Sequence, residues 1–501
     1  MRFAQTDQFS TKDSNMRKRF EQQLTIGQLP IEETKINPKS KNAVDELIAA
    51  LKELFCNKEY NEKIFNILEE YITKGKKETG RPGMDLWIVF VLAQLRLCLN
   101  LGYEMLHNLA NNHRTLRHLM GVEKKFGYEP IEFEYQHIYD NVSLLSDQML
   151  KELNDAIVEF GHGVFKKKEN TALHLKSDSF VVESNVHFPT DYNLLWDCAR
   201  KCIDTVDKYL GKYENLEGWR KLSNWRYEMK GLMRELGKAS SSGGKNKPDR
   251  IILATKRYLS KAKALSKKMH QGLASFPLND NEDLALNLAL EHFINLMDKH
   301  IDLLERRIIK DEAIPHQEKL FSIFETYTEM IKKGKMHPNV ELGKKLLITT
   351  DQYDLIIDYV LMEEEQDREK TISVADRILA KFKIDSWSFD KGFWDKTVKQ
   401  LLQLVIPVVI MPKLGKLNKE ELVEQSSRKF KRLKNKHSAI ESNINELENR
   451  GLDRCPDKGI MNYKRYISLA ICAYNLKKIG RQLLKQQREA LDGKNSLKQA
   501  A

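Results

Sequence analysis

Cysteine is scarce in this chain, and its six cysteines follow no recognised binding pattern. The closest pair, Cys198 and Cys202, lies four positions apart on a predicted helix, where two small buried side chains are the plain interpretation. No CxxC pair and no accompanying histidine cluster gives the spacing of a zinc site. The pattern suits a reducing compartment.

Long apolar runs are lacking as well. The most apolar stretch, residues 86–99, is interrupted by Gln94 and Arg96. It is too short and too polar to span a bilayer, and it predicts a buried helix instead. The N-terminal segment is polar, so a signal peptide is not expected.

Several common catalytic signatures are also missing: a Gly-rich phosphate loop, a Ser-His-Asp order and a dinucleotide fingerprint. What is present is an ordinary globular composition. The 501 residues are 41% hydrophobic and 31% charged, which is enough for two to four domains with real cores. The formal net charge of +12 suggests a polyanionic partner, nucleic acid first and a membrane surface second.

The N-terminal third of the chain is predicted to be helical. Residues 1–40 lack periodicity and are expected to form an arm, whereas residues 41–165 carry apolar side chains at helical spacing. Helices are predicted over residues 42–72, 84–100, 102–120 and 137–162. A helix-turn-helix-like unit and a plain helical bundle are both compatible with this pattern.

From residue 166 the pattern changes to that of an α/β domain, predicted over residues 166–191 and 316–485 and interrupted by a helical insertion over 192–315. The insertion contains a Ser/Gly-rich linker at 239–248, and residues 486–501 are expected to form a C-terminal tail. Strands are predicted at 173–186 (two short ones), 321–324, 346–350, 355–361, 384–389 and 404–411. Helices are predicted at 370–382, 394–403, 418–449 and 461–484. This order describes a mixed sheet flanked by helices, and it is also the element order of an RNase H-like fold.

Three carboxylates fall at places where such a fold builds sites. Asp178 lies at or near the end of the first strand, Asp390 directly follows a later strand, and Glu441 lies on a helix near the end of the domain. Sites in open α/β sheets form beyond the strand ends, so the two aspartates are expected to come close together. Clustered carboxylates bind hard divalent cations, and two such cations can catalyse phosphoryl transfer. The plain alternative is that each acid is a turn or cap residue.

The residues around these acids resemble those of bacterial insertion-sequence transposases of the three-carboxylate (DDE) class, in particular the ISNCY-type family. The similarity rests on linked motifs that follow one another in the order of that family. They are residues 177–191 (SDSFVVESNVHFPTD), 321–325 (FSIFE) with 340–343 (VELG), 388–393 (SFDKGF), and 437–445 (HSAIESNIN) with 451–455 (GLDRC). Residues 80–82 (GRP) resemble the helical DNA-binding part of the same group, less specifically.

The resemblance implies that Asp178, Asp390 and Glu441 are the catalytic, metal-binding carboxylates, with Mg²⁺ as cofactor and Mn²⁺ as a substitute. Glu448 lies on the same predicted helix face as Glu441 and is a competing third ligand. His437, one turn earlier, either contacts a phosphate or makes a structural hydrogen bond.

The function implied is a DNA transposase that binds the terminal inverted repeats of its insertion sequence, cleaves at the ends and joins the 3′ hydroxyl ends to target DNA. The expected partners are double-stranded DNA and a second copy of the chain, or more, on DNA, with no membrane. The expected location is the bacterial cytoplasm, at the nucleoid. The alternatives are a catalytically silent DNA-binding protein, decayed or domesticated, and a nuclease that cuts without joining.

Residues 41–165 are the expected DNA-binding domain. Two basic clusters are candidates for contacts with the DNA backbone, and a solvated surface is the plain alternative. The residues selected from these clusters and their surroundings are Lys76, Lys77, Arg81, Arg432, Lys434, Lys436 and His437.

Overall fold

The structure is a computed structural model that describes residues 17–20, 29–75, 83–123, 131–168, 171–213, 216, 218–219, 221–332 and 339–500, with side chains up to 492. Most of the predicted N-terminal arm therefore lies outside the described residues. The chain divides into two compact units. One contains the described residues up to Glu183 and from Lys344 onward, and the other runs from Ser184 to Gly343.

The N-terminal part of the first unit is helical, as predicted. Its helices are α1 (Ala43–Cys56), α2 (Lys58–Ile72), α3 (Leu86–Cys98), α4 (Tyr103–Asn112), α5 (Arg114–Leu119), α6 (Tyr135–Val142) and α7 (Asp147–Val164). Every residue of α3 is buried, which confirms the buried helix expected from the apolar run. None of the described helices combines the length and the apolar character that a membrane crossing requires.

Three of the predicted helices are each broken in two, and side-chain caps explain the breaks. Asn57 interrupts the helix predicted over 42–72, since its Oδ1 accepts a hydrogen bond from the amide of Tyr60 at 3.4 Å. His113 interrupts the helix predicted over 102–120, since its Nδ1 accepts a hydrogen bond from the amide of Leu116 at 3.2 Å. Ser146 interrupts the one predicted over 137–162, since its Oγ accepts from the amide of Met149 at 3.2 Å. Each cap satisfies an amide at the start of a new helix, so a restart costs little at these points.

One continuous strand, β1 (Leu173–Ser184), replaces the two short strands that were predicted. Its second half stays extended because it pairs with a late segment of the chain, and the amide of Glu183 donates to the carbonyl of Asp453 at 3.1 Å. Asp178 therefore lies within a strand, and the expectation that it ends one is wrong.

The second unit contains four helices, α8 (Asp191–Lys212), α9 (Leu222–Ser241), α10 (Lys247–Leu273) and α11 (Asn281–Ile308), which bury a common apolar core. The linker predicted at 239–248 is shorter, because α9 continues to Ser241 and α10 begins at Lys247. The unit closes with β2 (Glu329–Lys332), which pairs antiparallel with residues 340–343.

The strand predicted at 321–324 is wrong. The hydroxyl of Ser322 accepts hydrogen bonds from the amides of Phe324 (3.2 Å) and Glu325 (3.0 Å), which folds the segment into a turn. Short hydroxyl side chains compete with sheet pairing in this way. Ile323 joins the helical core of the second unit.

The sheet of the first unit is formed by β3 (Val340–Thr350), β4 (Ile356–Leu361), β5 (Ile384–Phe389), β6 (Val408–Ile410) and β7 (Arg454–Cys455), together with β1. β4 lies beside β3, β3 beside β1, and β5 and β6 follow; β7 pairs with β1. The predicted β3–β4 hairpin is confirmed and antiparallel, whereas β1, β5 and β6 are parallel. The domain is α/β with a mixed sheet, as predicted.

Helices α12 (Asp367–Leu379) and α13 (Lys396–Val405) connect the strands, and their apolar residues share a core with β1, β5 and β6. The predicted strand 404–411 shrinks to three residues because α13 extends to Val405 and Pro407 precedes the strand. The irregularity that Pro407 would cause inside a central strand therefore does not arise.

The long helix predicted over 418–449 is three helices, α14 (Lys419–Ser426), α15 (Arg428–His437) and α16 (Ala439–Leu447), followed by a π turn (Glu448–Leu452). Ser427 marks the first break, because its Oγ accepts from the amide of Phe430 at 3.2 Å. The last helix, α17 (Ile460–Ala500), extends beyond the prediction and through most of the residues expected to form a tail.

Helix α17 packs against α1, α3 and α7, which joins both ends of the chain in one unit. The approach to α1 is so close that a Cβ at Gly480 would collide with the backbone carbonyl of Glu46. Next to this contact, Arg481 Nε donates to Glu46 Oε1 at 2.9 Å. The absence of a side chain at position 480 therefore sets the distance between the two helices.

Substitution of Gly480 by alanine is expected to lower the free energy of unfolding by about 1–3 kcal/mol, because the added methyl forces two packed helices apart. Gly163→Ala is the matched control, since nothing lies within 4 Å of a Cβ at that helical position. Urea unfolding of both variants checks the prediction. Equal stability of the two variants would show that α1 and α17 can separate without cost.

Candidate active site

Asp178 and Asp390 are brought side by side by the parallel pairing of β1 and β5. The register pairs Lys176 with Ser388 and Ser177 with Phe389, so the next position on each strand is an aspartate. Adjacent strands lie about 4.8 Å apart, and alternate residues of a strand share a face. The two carboxylates therefore belong to neighbouring positions on one face of the sheet, as the sequence predicted.

Glu441 reaches the same region from α16. The preceding helix, α15, is tied to β5 by a hydrogen bond of 3.1 Å between Ser388 Oγ and His437 Nδ1. α16 is tied to α17 through Glu446, which pairs with Lys477 and, at 3.0 Å, with Lys478. Burial opposes ionisation of Glu446, but the two lysines outweigh it and lower its pKa to about 2.

The electrostatics of Asp178 link it to the other predicted carboxylates. Its pKa is raised to about 7, first by burial and then by the charges of Asp390, Asp367 and Glu441, in that order. The amide of Ser179, which donates to Asp178 Oδ1 at 2.7 Å, opposes the shift. Nearby negative charge disfavours ionisation, so Asp178 lies in a region where carboxylate charge is concentrated.

Asp367 is a fourth carboxylate of the cluster, and the sequence analysis missed it. It is the first residue of α12, and its Oδ2 accepts from Lys345 Nζ at 3.2 Å. A Cβ at Gly392, in the turn after Asp390, would lie 3.4 Å from the same oxygen. The side chain is only 12% exposed, and its Oδ1 is buried without a hydrogen-bond partner. In the sequence it follows three consecutive glutamates, so it resembles part of a solvated acidic loop.

His437 makes the structural hydrogen bond that was one of its two predicted roles, to Ser388. Its Nε2 is buried and has no partner. Burial lowers the pKa of the imidazole to about 4, against the opposing charge of Asp390, so the ring is neutral at pH 7. A neutral Nε2 can donate or accept one hydrogen bond, and a phosphate contact stays a prediction.

Glu448, the competing third ligand, lies at the start of the π turn that follows α16. Glu441 is the carboxylate of this region whose charge acts on Asp178. This electrostatic effect favours Glu441 as the third member of the cluster, and its catalytic role stays a prediction.

The predicted DNA contacts divide into two groups. Lys76, Lys77 and Arg81 lie outside the described residues. Arg432, Lys434 and Lys436 lie on α15, whose ten residues include six lysines and arginines and no acid. Arg432 and Lys436 line a cavity beside the carboxylates, whereas Lys434 does not.

The donor set suits a hard divalent cation, since carboxylate oxygens are the ligands that Mg²⁺ prefers. Asp178 carries charge that a cation would compensate, and Asp367 offers a buried oxygen without a partner. Within the described parts of the chain, however, no group of three or more histidine, cysteine, aspartate or glutamate side chains is arranged to hold a metal ion. The carboxylates are thus electrostatic neighbours that have not converged on one point, which is the arrangement that mutual repulsion favours.

Comparisons of the chain with protein-family models, with curated proteins and with solved structures give no match.

Proposed function

We propose that the protein is a metal-dependent DNA-cleaving and DNA-joining enzyme, a transposase of the DDE class with an RNase H-like catalytic core. One observation carries the proposal: Asp178 of β1 and Asp390, which directly follows β5, come next after the paired residues Ser177 and Phe389, and the charge of Glu441 acts on the same half-buried carboxyl. These are the three positions selected from the sequence motifs. They come from distant parts of the chain, and the charges of Asp390 and Glu441 both act on Asp178.

The sheet order supports the RNase H-like part of the proposal. An antiparallel hairpin, β3–β4, lies on one side of β1, and two parallel strands, β5 and β6, lie on the other. In the sequence, the helical second unit is inserted between β1 and the greater part of β3. The order from the β3–β4 hairpin onward is the one predicted from the sequence, whereas the insertion follows one strand instead of the predicted pair.

In the proposed reaction Asp178, Asp390 and Glu441 would hold two Mg²⁺ ions, and Asp367, whose charge also acts on Asp178, would supply a further oxygen. When bound, the ions activate the attacking oxygen and stabilise the leaving oxygen of an in-line phosphoryl transfer. The protein's own contribution is position. β1 and β5 fix two carboxylates at one level of the sheet, and the α16–α17 ion pairs fix the helix that carries the third. Lys345 holds Asp367 in place beside them.

The α15 cations place positive charge next to this acidic cluster, which suits a substrate that is itself a polyanion. Hydrolysis at each DNA end would free a 3′ hydroxyl, and this hydroxyl would attack a phosphate of the target. Neither step needs a covalent bond to the protein.

The competing proposal is a DNA-binding protein without catalytic activity. Plain DNA binding gives no reason to bury an aspartate among three other carboxylates, because each of them repels the phosphate backbone. The acidic cluster therefore favours the enzyme.

The test uses purified protein and labelled duplexes that carry the DNA flanking its gene. With Mg²⁺ or Mn²⁺ we expect strand cleavage at the ends and covalent joining to a second duplex, both abolished by EDTA. Specific binding without cleavage in either metal would establish the silent DNA-binding protein instead. Cleavage without joined products would identify a nuclease.

A further inference from the structure

A cavity of about 400 Å³ lies beside the carboxylates on the same face of the sheet. Its strand wall includes Lys176 of β1 and Ser388 of β5, which come two residues before Asp178 and Asp390. Two residues of a strand span about 7 Å, so the cavity begins one side-chain position from the acidic cluster. A group bound there would be a direct neighbour of a group at the carboxylates.

The opposite wall is one face of α15. Lys429, Arg432 and Lys436 line the cavity at helical spacings of three and four. None of the three forms an ion pair with any residue that the structure describes, unlike the nearby Lys413 and Lys399, which pair with glutamates. The remaining cations of the helix, Arg428, Lys431 and Lys434, are not part of the cavity. The wall therefore offers three uncompensated positive charges to an anion.

The rest of the lining does not suit a simple anion. Val408, Ile410 and Leu433 form an apolar part. Asp354 and Asp385 line the cavity as well and would repel a second negative group, but their oxygens accept hydrogen bonds. The cavity thus combines cations, an apolar surface and hydrogen-bond acceptors. One phosphate, one flat ring and its amino groups would match these three parts.

Its volume restricts the ligand further. A cavity of this size accommodates a molecule of a few tens of atoms and excludes a duplex. Enzymes that act on DNA admit a single nucleotide to such pockets after unstacking it, and hold its base by apolar contact and polar groups.

We propose that this cavity binds one unpaired nucleotide of the DNA strand, with its phosphate on Lys429, Arg432 and Lys436 and its base against Val408, Ile410 and Leu433. The inference rests on the proposed function in taking DNA as the substrate. It adds that the strand is distorted next to the carboxylates, so that one base leaves the helix. The energy of binding that nucleotide would hold the neighbouring phosphate in position.

The test measures binding in EDTA by the fluorescence anisotropy of a labelled single-stranded oligodeoxynucleotide and of an abasic strand of equal length. The wild-type protein is expected to bind the intact strand at least about fivefold more tightly, the lower end of what stacking one base contributes. Lys429→Ala/Arg432→Ala/Lys436→Ala is expected to weaken binding at least about tenfold and to reduce the salt slope by about 0.7, since the contact with one phosphate of a single strand is lost.

Arg428→Ala/Lys431→Ala/Lys434→Ala is the matched control, because it also removes two lysines and one arginine from α15 but leaves the cavity intact. A second variant, Ala439→Leu, fills the cavity without a change in charge. It is expected to abolish the preference for the intact strand and to keep the salt slope.

Equal losses in the two triple variants, or equal wild-type affinity for the intact and abasic strands, would overturn the proposal. Because the assay needs neither metal nor cleavage, its outcome is independent of the enzymatic test. Cleavage without a base preference would remove the cavity proposal alone. A base preference without cleavage would leave the cavity proposal standing and remove the enzyme.

Discussion

Asp178→Asn, Asp390→Asn and Glu441→Gln are each expected to reduce metal-dependent cleavage of the DNA ends by at least about a thousandfold. Each removes one charged oxygen ligand from a site where cations supply several kcal/mol of stabilisation to the transition state, and about 1.4 kcal/mol corresponds to a factor of ten. The measurement is single-turnover cleavage of labelled duplexes in Mg²⁺. Affinity for the same duplexes in EDTA should be unchanged or increased, since the variants lose negative charge.

Two further variants test the composition of the cluster. Glu448→Gln should retain cleavage, because Glu441 is the carboxylate that acts on Asp178. Asp367→Asn should lose activity if the fourth carboxylate takes part in the reaction. Lys345→Met removes the cationic partner of Asp367 but keeps the carboxylate, so it separates a direct role of Asp367 from a role in packing. Full activity in Glu441→Gln together with loss in Glu448→Gln would exchange the two assignments.

The Asp178→Asn variant is also expected to be more stable than the wild-type protein above pH 7 in EDTA, by about 2–4 kcal/mol. The pKa of Asp178 is about 7 in the folded protein against an ordinary value of 3.8. The folded state therefore holds the proton more tightly than the unfolded state. The stability that this provides is fully present below pH 3.8 and is lost as the pH rises through 7. Asparagine never ionises, so the variant escapes the loss.

Thermal unfolding of both proteins between pH 4 and pH 9 measures the effect. The difference in Tm should be small at pH 4 and should grow to a plateau above pH 7. Addition of Mg²⁺ at pH 8 should raise the Tm of the wild-type protein more than that of the variant, because the cation binds the ionised carboxylate. Parallel curves across the whole range would show that Asp178 titrates normally.

Asp178 and Asp390 could be selected because the local pattern and the linked motifs both pointed to them. Each lies beside a run of strand-forming residues and within one of the motifs. Their approach then follows from the geometry of parallel pairing alone. Glu441 needed the linked motifs, since a glutamate on a polar helix carries no signal of its own.

Asp367 could not be predicted, because its place depends on tertiary contacts. Asp367 begins α12, and its partners are Lys345 of β3 and the turn at Gly392. A helical or strand pattern in the sequence does not reveal these contacts. The helix boundaries failed for a similar reason. Ser427 and Ser146 differ from other serines only in that their hydroxyls cap an amide of the folded chain. Periodicity records which face is apolar, and it does not record where a cap interrupts the helix.

The packing of α17 has a consequence for how this chain can be divided and recombined. Besides the α1 contact at Gly480, α7 contacts the β3–β4 hairpin of the sheet directly: His162 Nε2 and Asp351 Oδ2 lie 2.7 Å apart, and Asn154 Nδ2 donates to the carbonyl of Ile356 at 3.1 Å. The N-terminal helices thus complete the core on which α16 and Glu441 depend. These helices do not form a separable domain. A chimaera that replaced α1–α7 with the helices of another protein would have to replace α17 as well. Under the proposed function, a change of end specificity would have to come from substitutions on the outer surface of these helices, with their inner faces held constant.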